Sequence, residues 1–260
     1  MSDKYNILVV GYGYVGKAVA AVFKADTLSI VDPKYFNNKL SDYKNHKFDI
    51  VFVCVDTPID NKFKILDTVL NDINNYLYEG TIVVCKSTAS PTFYSKAEKK
   101  YKNIKLLHSP EYLSHWNNIE DFKHQEFIIM GGYITAAKKS CKILLNRLKY
   151  VKDTRITDIK TAALIKYSEN GFLALKVSFA NELSNIHKAL KCESNFKDFT
   201  EMLGLDKRIG KSHMQVPGRD GKYGWGGHCY EKDNQEFLKF SKSKLLKTMI
   251  AINKIHRKQT

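Results

Sequence analysis

The stretch Val9–Ala20, "VVGYGYVGKAVA", carries the reading of the fold. Gly11, Gly13 and Gly16 stand in G-x-G-x-x-G spacing, directly after the apolar run "YNILVV" and at the opening of a helical pattern. The motif is weak alone, but a preceding strand, a following helix and an acid closing the next strand about 20 residues on together mark a dinucleotide-binding turn. Asp32, at the end of "LSIVD", is that acid. Gly11 permits the tight turn, Gly13 admits backbone close to a pyrophosphate, and the helix start offers N–H groups to its charge. The plain alternative is a Gly-rich turn without a ligand. A carboxylate at position 32 suits the ribose hydroxyls of NAD and repels the 2'-phosphate of NADP, a preference that Lys34 softens.

Working outward, the short runs "YNILVV", "LSIVD", "IVFVCV", "TIVVCKS", "IKLLHS" and "EFIIMGG" alternate with stretches of helical length and polarity. They are nearly continuous in apolar residues, as strands buried on both faces are. The expected fold class is therefore α/β, a Rossmann-like, doubly wound parallel sheet. Strand signals stop after about Tyr150. From Asp158 to Leu190 apolar residues recur at spacings of three and four, which predicts a long amphipathic helix, weakened locally by Gly171. The expected organisation is an NAD-binding domain over 1–150 and a helical central domain over 151–260. Between Gly204 and Gly227 the chain is rich in Gly, Pro and charge, and reads as a loop delivering Cys229.

At 260 residues the chain can bury a sizeable core, and its formal net charge of +15 favours anionic partners. The last stretch, "FLKFSKSKLLKTMIAINKIHRKQT", has basic residues and no acidic ones. A solvated helix side is expected there rather than a nucleic-acid face. The five cysteines show no C-x-x-C pair and no histidine at zinc-finger spacing, so neither a disulfide framework nor a metal site is expected. Cys54 and Cys85 lie inside apolar runs, as buried thiols do. Cys229 alone lies among glycines and charge. No secretory signal and no stretch long enough to span a bilayer is read, so the expected location is the cytoplasm.

Four further stretches carry polar groups where a doubly wound fold would use them. "STASP" (Ser87–Pro91) and "SPEYL" (Ser109–Leu113) each follow a strand, "LIKYSEN" (Leu164–Asn170) lies on the long helix, and "GWGGHCYEKD" spans Gly224–Asp233. Carboxyl ends of strands line the ligand crevice of such sheets, so Thr88 and Glu111 are expected to face a bound dinucleotide. Lys166 and Asn170, four apart, share one helix face. Each also has a plainer reading: Lys166 as a solvated lysine, Glu111 as the start of a helix, Asn170 with Gly171 as a helix end.

In this order the motifs resemble those of the UDP-glucose/GDP-mannose dehydrogenase family: "GxGYVG", an "ST" after a strand, "PEFL", "K-x-x-x-N" on the central helix and "GGxCxPKD". The resemblance covers nearly the whole chain. It implies a four-electron oxidation of a sugar-nucleotide alcohol to a carboxylate with two NAD+, UDP-glucose being the default substrate. Cys229 would add to the aldehyde and pass through a thiohemiacetal to a thioester that water hydrolyses. Lys166 would stabilise the developing oxyanion; Asn170, Asp233 and Thr88 would position water or the sugar hydroxyl; Glu111 would be the base for hydrolysis. Tyr14, Val15, Val55, Thr57, Ser87 and Lys232 join Gly11, Gly13, Gly16, Asp32 and Thr88 as expected cofactor contacts. The sugar nucleotide would meet Tyr112, Leu113, Tyr223, Gly224, Trp225 and Gly226, besides Glu111, Lys166 and Asn170. Arg208 would reach the neighbouring subunit's sugar in a homodimer built on the long helix.

The sequence also departs from the family. Asp56 stands within the family's "CVPTP", His115 where a second glutamate follows "PEFL", and Glu231 where "CxPKD" has proline. The chain stops at Thr260, where family members usually continue into a further Rossmann-like domain that holds the substrate nucleotide. Arg219 and Lys222, in "GRDGK", are expected to meet the substrate phosphates instead. The alternative reading is a dinucleotide- or nucleic-acid-binding protein that keeps the fold without the chemistry.

Overall fold

The computed structural model describes residues 4–61, 63–113 and 116–259. The chain divides into two compact units, Met1–Lys166 and Tyr167–Thr260. In the first, strands β1 (Asn6–Val10), β2 (Thr27–Val31), β3 (Ile50–Val53), β4 (Thr81–Cys85), β5 (Ile104–His108), β6 (Phe127–Gly132) and β7 (Asp153–Thr157) form one sheet in the order β2-β1-β3-β4-β5-β6-β7. Helices α1 (Tyr14–Val22), α2 (Lys64–Tyr76), α3 (Pro91–Lys100), α4 (Asn118–Lys123) and α5 (Ile134–Leu145) connect them.

Successive side chains of a strand point to opposite faces, and both faces of this sheet are covered. Leu8, Val10, Val51 and Val53 pack with Leu66, Leu70 and Ile73 of α2. Ile7, Val9, Ile50 and Phe52 pack with Ala18 and Val19 of α1 and Ala137 and Leu144 of α5. That two-sided burial is why the strands read as unbroken apolar runs. It is also the larger part of the stabilisation, at about 1.5–3 kcal/mol for each large aliphatic side chain withdrawn from water. Because β1 lies between β2 and β3, the order in which strands are laid down reverses at β1, and the crevice opens at the carboxyl ends of β1 and β3.

The expected α/β fold is found: the sheet is mostly parallel, with β6 antiparallel to β5 and β7 parallel to β6. One expectation is corrected, since strands continue past Tyr150: β7, "DTRIT", lies at the sheet edge with one side of its ladder unpaired, and its largely exposed, charged residues give no apolar run. An edge strand with charged side chains resists pairing with other chains.

Asp26, after α1, is tied to Arg147, just beyond α5. Arg147 donates from Nε to Oδ2 at 2.8 Å and from Nη2 to Oδ1 at 2.5 Å. The Asp26 side chain is wholly buried and also accepts the Tyr5 N–H at 2.9 Å, so this pair pins the start of β1 to two helix ends.

Helix α6 (Ile159–Ala189) runs unbroken through Gly171, so Asn170 marks no helix end. Its later part joins α7 (Phe196–Leu203), α8 (His228–Ser241) and α9 (Lys244–His256) in the second unit. A Cβ at Gly171 would lie 3.2 Å from the Phe237 ring, so the glycine allows α8 to pack closely on α6. Trp225 heads a core with Ala174, Leu246, Met249 and Ile250. On α9 those buried positions alternate with exposed Lys244, Lys247 and Lys254, the solvated lysine face of an amphipathic helix. Among the described residues no helix is long and apolar enough to cross a membrane.

Candidate active site

The turn after β1 is built by two of its three glycines. Gly11 has φ +91°, and a Cβ there would sit 2.8 Å from the Cys54 carbonyl. One at Gly16 would sit 1.9 Å from the Gly11 oxygen, whereas one at Gly13 would meet nothing within 4 Å. The Gly11 N–H donates to Val31 O at 2.8 Å. Asp32 accepts the Tyr12 N–H on Oδ2 at 2.6 Å and the Lys34 N–H on Oδ1 at 2.8 Å, so the carboxylate expected at a ribose also fastens the glycine turn. Tyr14 is exposed at the start of α1, while Val15 packs inward on the core.

The ends of β3 and β4 are laced together beside this turn. Ser87 Oγ donates to Val55 O at 2.6 Å, and Thr57 Oγ1 donates to Thr88 O at 2.8 Å. The structure thus gathers Val55, Thr57, Ser87 and Thr88 at the carboxyl ends of β3 and β4. Open space at Gly13, a helix start and a carboxylate at the turn fit NAD. Gly16→Ala is expected to destroy this fit: its methyl would collide with backbone, and isothermal titration should register loss of NAD binding with a fall in stability of about 1–3 kcal/mol.

Farther along the sheet lies a cluster of charge. Glu111 follows β5 in a loop, not a helix, and Oε2 accepts the Leu113 N–H at 2.8 Å. Lys166 Nζ stands 3.8 Å from Glu111 Oε1 and 5.1 Å from the Tyr112 ring centroid, with both charged side chains largely buried. Lys166 is therefore no solvated lysine. Two buried residues here escape sequence reading. Lys86, directly after β4, donates from Nζ to Ser109 Oγ at 3.0 Å. Burial pulls its ammonium down to about 8, against Cys54, Glu111 and Cys141, which favour the charged form. His108 donates from Nδ1 to Cys85 O at 3.0 Å and stacks on Tyr94 at 4.4 Å. Burial pushes it down to about 3, which keeps the imidazole neutral at pH 7. A lysine closing an apolar run, "VVCK", was the available signal for Lys86. Cys54 is an inert core thiol, pushed up to about 12 by burial.

The second unit holds the cysteine motif. Cys229 lies in the first turn of α8, not in the loop before it, and is exposed; Gly227 caps the helix with φ +88°. Asp233, one turn on, shares its helix face. Asp233 accepts Asn170 Nδ2 on Oδ2 at 2.7 Å and Lys232 Nζ on Oδ1 at 2.6 Å, and all three are under 9% exposed. Lys232, expected at the cofactor, has its ammonium on this carboxylate.

Other expected substrate contacts serve the unit's own structure. Trp225 is buried, donating from Nε1 to Ser178 Oγ at 2.9 Å, and the Gly224 N–H donates to Asn181 Oδ1 at 2.9 Å. Tyr223 and Gly226 are half-buried, and the Tyr223 carbonyl lies 3.5 Å from Arg257 Nη1. "GRDGK" forms a turn closed by the Gly218 and Lys222 backbones and held by Asp220 to Arg257 at 2.7 Å. Arg208 is exposed and paired with Asp206 at 2.6 Å. His115 lies outside the described residues.

Residues 34–149 match the NAD binding domain of the UDP-glucose/GDP-mannose dehydrogenase family, and residues 160–255 match the central domain of the same family. An uncharacterised protein of Methanocaldococcus jannaschii is 29% identical over 90% of this chain and 30% of its own length. The UDP-glucose 6-dehydrogenase of Rickettsia prowazekii is 26% identical over 85% of this chain and 52% of its own. The chain thus spans about half the length, or less, of these relatives. Among solved structures, a UDP-glucose dehydrogenase from Pyrobaculum islandicum superposes with a TM-score of 0.79 at 23% identity, over 98% of this chain and 69% of that one. A 3-hydroxyisobutyrate dehydrogenase from Mycobacterium tuberculosis shares the fold at a TM-score of 0.76 and 14% identity, over 98% of this chain and 96% of its own. With residues 34–149 and 160–255 matched to two domains of one family, the chain belongs to the UDP-glucose/GDP-mannose dehydrogenase family, and its cofactor is NAD.

Proposed function

We propose that the protein oxidises a nucleotide sugar, UDP-glucose foremost, from primary alcohol to carboxylate with two equivalents of NAD+. The observation that carries this reading is the buried Asn170–Asp233–Lys232 group one turn along α8 from Cys229. Burying such a carboxylate is costly unless it is paired, and in an inert scaffold an apolar side chain would fill the space more cheaply. The bound NAD+ supplies a hydride acceptor. The chain's own residues do the rest. In the first oxidation the carbon would give its hydride to NAD+ and the hydroxyl its proton to a water held by Asn170 and Asp233, while largely buried Lys166 offsets charge on the sugar oxygen. The Cys229 thiolate then adds to the aldehyde carbon; its place in the first turn of α8, where N–H groups point outward, suits an anion. Loss of a second hydride from that carbon leaves a thioester. Glu111, or Asp233 through its hydrogen-bonded network, takes a proton from the attacking water, and the carbon–sulfur bond breaks to release carboxylate and thiolate.

The test is NADH yield on UDP-glucose, with GDP-mannose and UDP-N-acetylhexosamines alongside. Two NADH per sugar support the proposal. NAD binding without NADH from any sugar would favour the dinucleotide-binding scaffold instead.

We further propose a homodimer through α6. Phe172, Phe179 and Ile186 recur every seven residues and are 67%, 58% and 51% exposed, an apolar stripe of the kind a second helix covers. Arg208, projecting from the surface, suits contact with a neighbouring subunit. Phe172→Glu with Phe179→Glu should halve the mass seen by sedimentation, and an unchanged mass would sink the idea.

A further inference from the structure

We propose that Lys86 is a positioning residue that holds Glu111 in place through the Ser109 hydroxyl. For its effect on rate the proposal rests on the dehydrogenase reading above, which it deepens.

The geometry forms a short mechanical chain. The Lys86 N–H donates to Val53 O at 2.8 Å, so its backbone is fixed in the sheet. Lys86 is 3% exposed, and Ser109 is the hydrogen-bond partner of its ammonium among the described residues. Ser109 is 1% exposed, and its N–H continues the ladder to Cys85 O at 3.0 Å. Pro110 follows, which confines Ser109 to extended backbone and itself has a fixed φ. The Ser109 hydroxyl and the Glu111 backbone are thus joined by a stiff two-residue link. A displacement of Ser109 is passed on to the carboxylate beside Lys166.

The surroundings argue that a cation, not merely a long side chain, is needed. Cys54 faces Lys86 from the end of β3, Cys141 from α5, His108 and Glu111 from β5 and its loop, and the Phe122 ring of α4 lies 5.4 Å away. Lys166, from α6, bears on the same His108. Methionine would fill this space without the desolvation that draws Lys86 down to about 8. Lys86 and Lys166 thus both bear on Glu111, from the end of β4 and from α6.

The experiment compares Lys86→Arg, Lys86→Met and Ser109→Ala. In the unaltered protein kcat should fall on the alkaline side with a midpoint near 8, because the ammonium loses its proton there. Lys86→Arg, which stays charged, should remove that limb. Lys86→Met and Ser109→Ala should each lower kcat on the order of 10- to 100-fold with little change in KM for the sugar. Unaltered kcat and pH profile in both would overturn the proposal.

A second measurement needs no activity. Carbon-detected NMR should show one lysine side chain titrating near 8, absent from Lys86→Arg, with the Glu111 carboxyl signal moving through the same midpoint. A Glu111 signal blind to that titration would overturn the positioning role even in a folded, active protein. Absence of activity with every sugar would instead count against the functional reading, and the spectra would still decide the role of Lys86. Should Lys86→Met fail to fold, the arginine and Ser109→Ala variants carry both readouts.

Discussion

On the proposed reaction, Cys229→Ser is expected to cut the yield from two NADH per sugar to one at most, and to lower turnover on the order of a thousandfold or more. The first oxidation converts an alcohol to an aldehyde and needs no nucleophile from the protein. The second needs a tetrahedral carbon carrying a removable hydrogen, which addition of the Cys229 sulfur would supply. Sulfur forms it readily, because a thiolate is available near neutral pH and a thioester is reactive enough to hydrolyse. A serine hydroxyl is not ionised there, and the group that would relieve it of a proton must stand within hydrogen-bond reach. The measurement is the ratio of NADH to sugar consumed, at limiting sugar. Full yield and rate in the serine variant would remove the covalent route while leaving a dehydrogenase. The pairing of Asn170 with Asp233 would then need another explanation.

The largest expected loss of stability is at Arg147. Arg147→Ala should lower unfolding free energy by about 3–5 kcal/mol, because it leaves the wholly buried Asp26 carboxylate without its bidentate partner. The Tyr5 N–H would remain as its neutral donor. Arg147→Met combined with Asp26→Asn should recover much of the loss, since an amide brings no charge to the same site. Burial raises the Asp26 carboxyl, but the Arg147 and Tyr5 hydrogen bonds outweigh it and hold the group below its ordinary 3.8. The contribution is therefore present above that value and is lost as pH falls through the depressed one. Denaturation midpoints should show the gap between the native protein and Arg147→Ala narrowing in acid. A constant gap across that range would mean that packing of the arginine stem, not charge, is what was removed.

Much of the first unit was legible because burial and sequence coincide there. Strands covered on both sides must be apolar throughout, and the glycine turn needs glycine for reasons of backbone geometry. The apolar spacing predicts a helix over 158–190, and α6 spans Ile159–Ala189, since that spacing outlasts the penalty of Gly171. Gly171 was better explained from the partner surface than from propensity: Phe237 needs the room. What was missed lacks a hydrophobic signature. β7 is charged and exposed at an edge, and the direction of β6 leaves no mark on its composition. The glycines before Cys229 hide the start of α8 at His228. Within the site, Asn170 and Asp233 are 63 residues apart, so their union came from family resemblance and not from spacing. Lys86 and His108 went unread because a polar residue ending an apolar run looks like the end of the run.

The glycines of the first turn differ in a way that bears on mutagenesis at large. At 11 and 16 a side chain would strike the protein's own backbone, whereas at 13 it would meet open space. A random library sorted for soluble, well-expressed protein should therefore purge the outer two positions while tolerating small residues at the middle one. Survivors altered at Gly13 would pass every assay of folding and yet be unable to hold a dinucleotide, so folding screens alone would overstate how many variants remain competent.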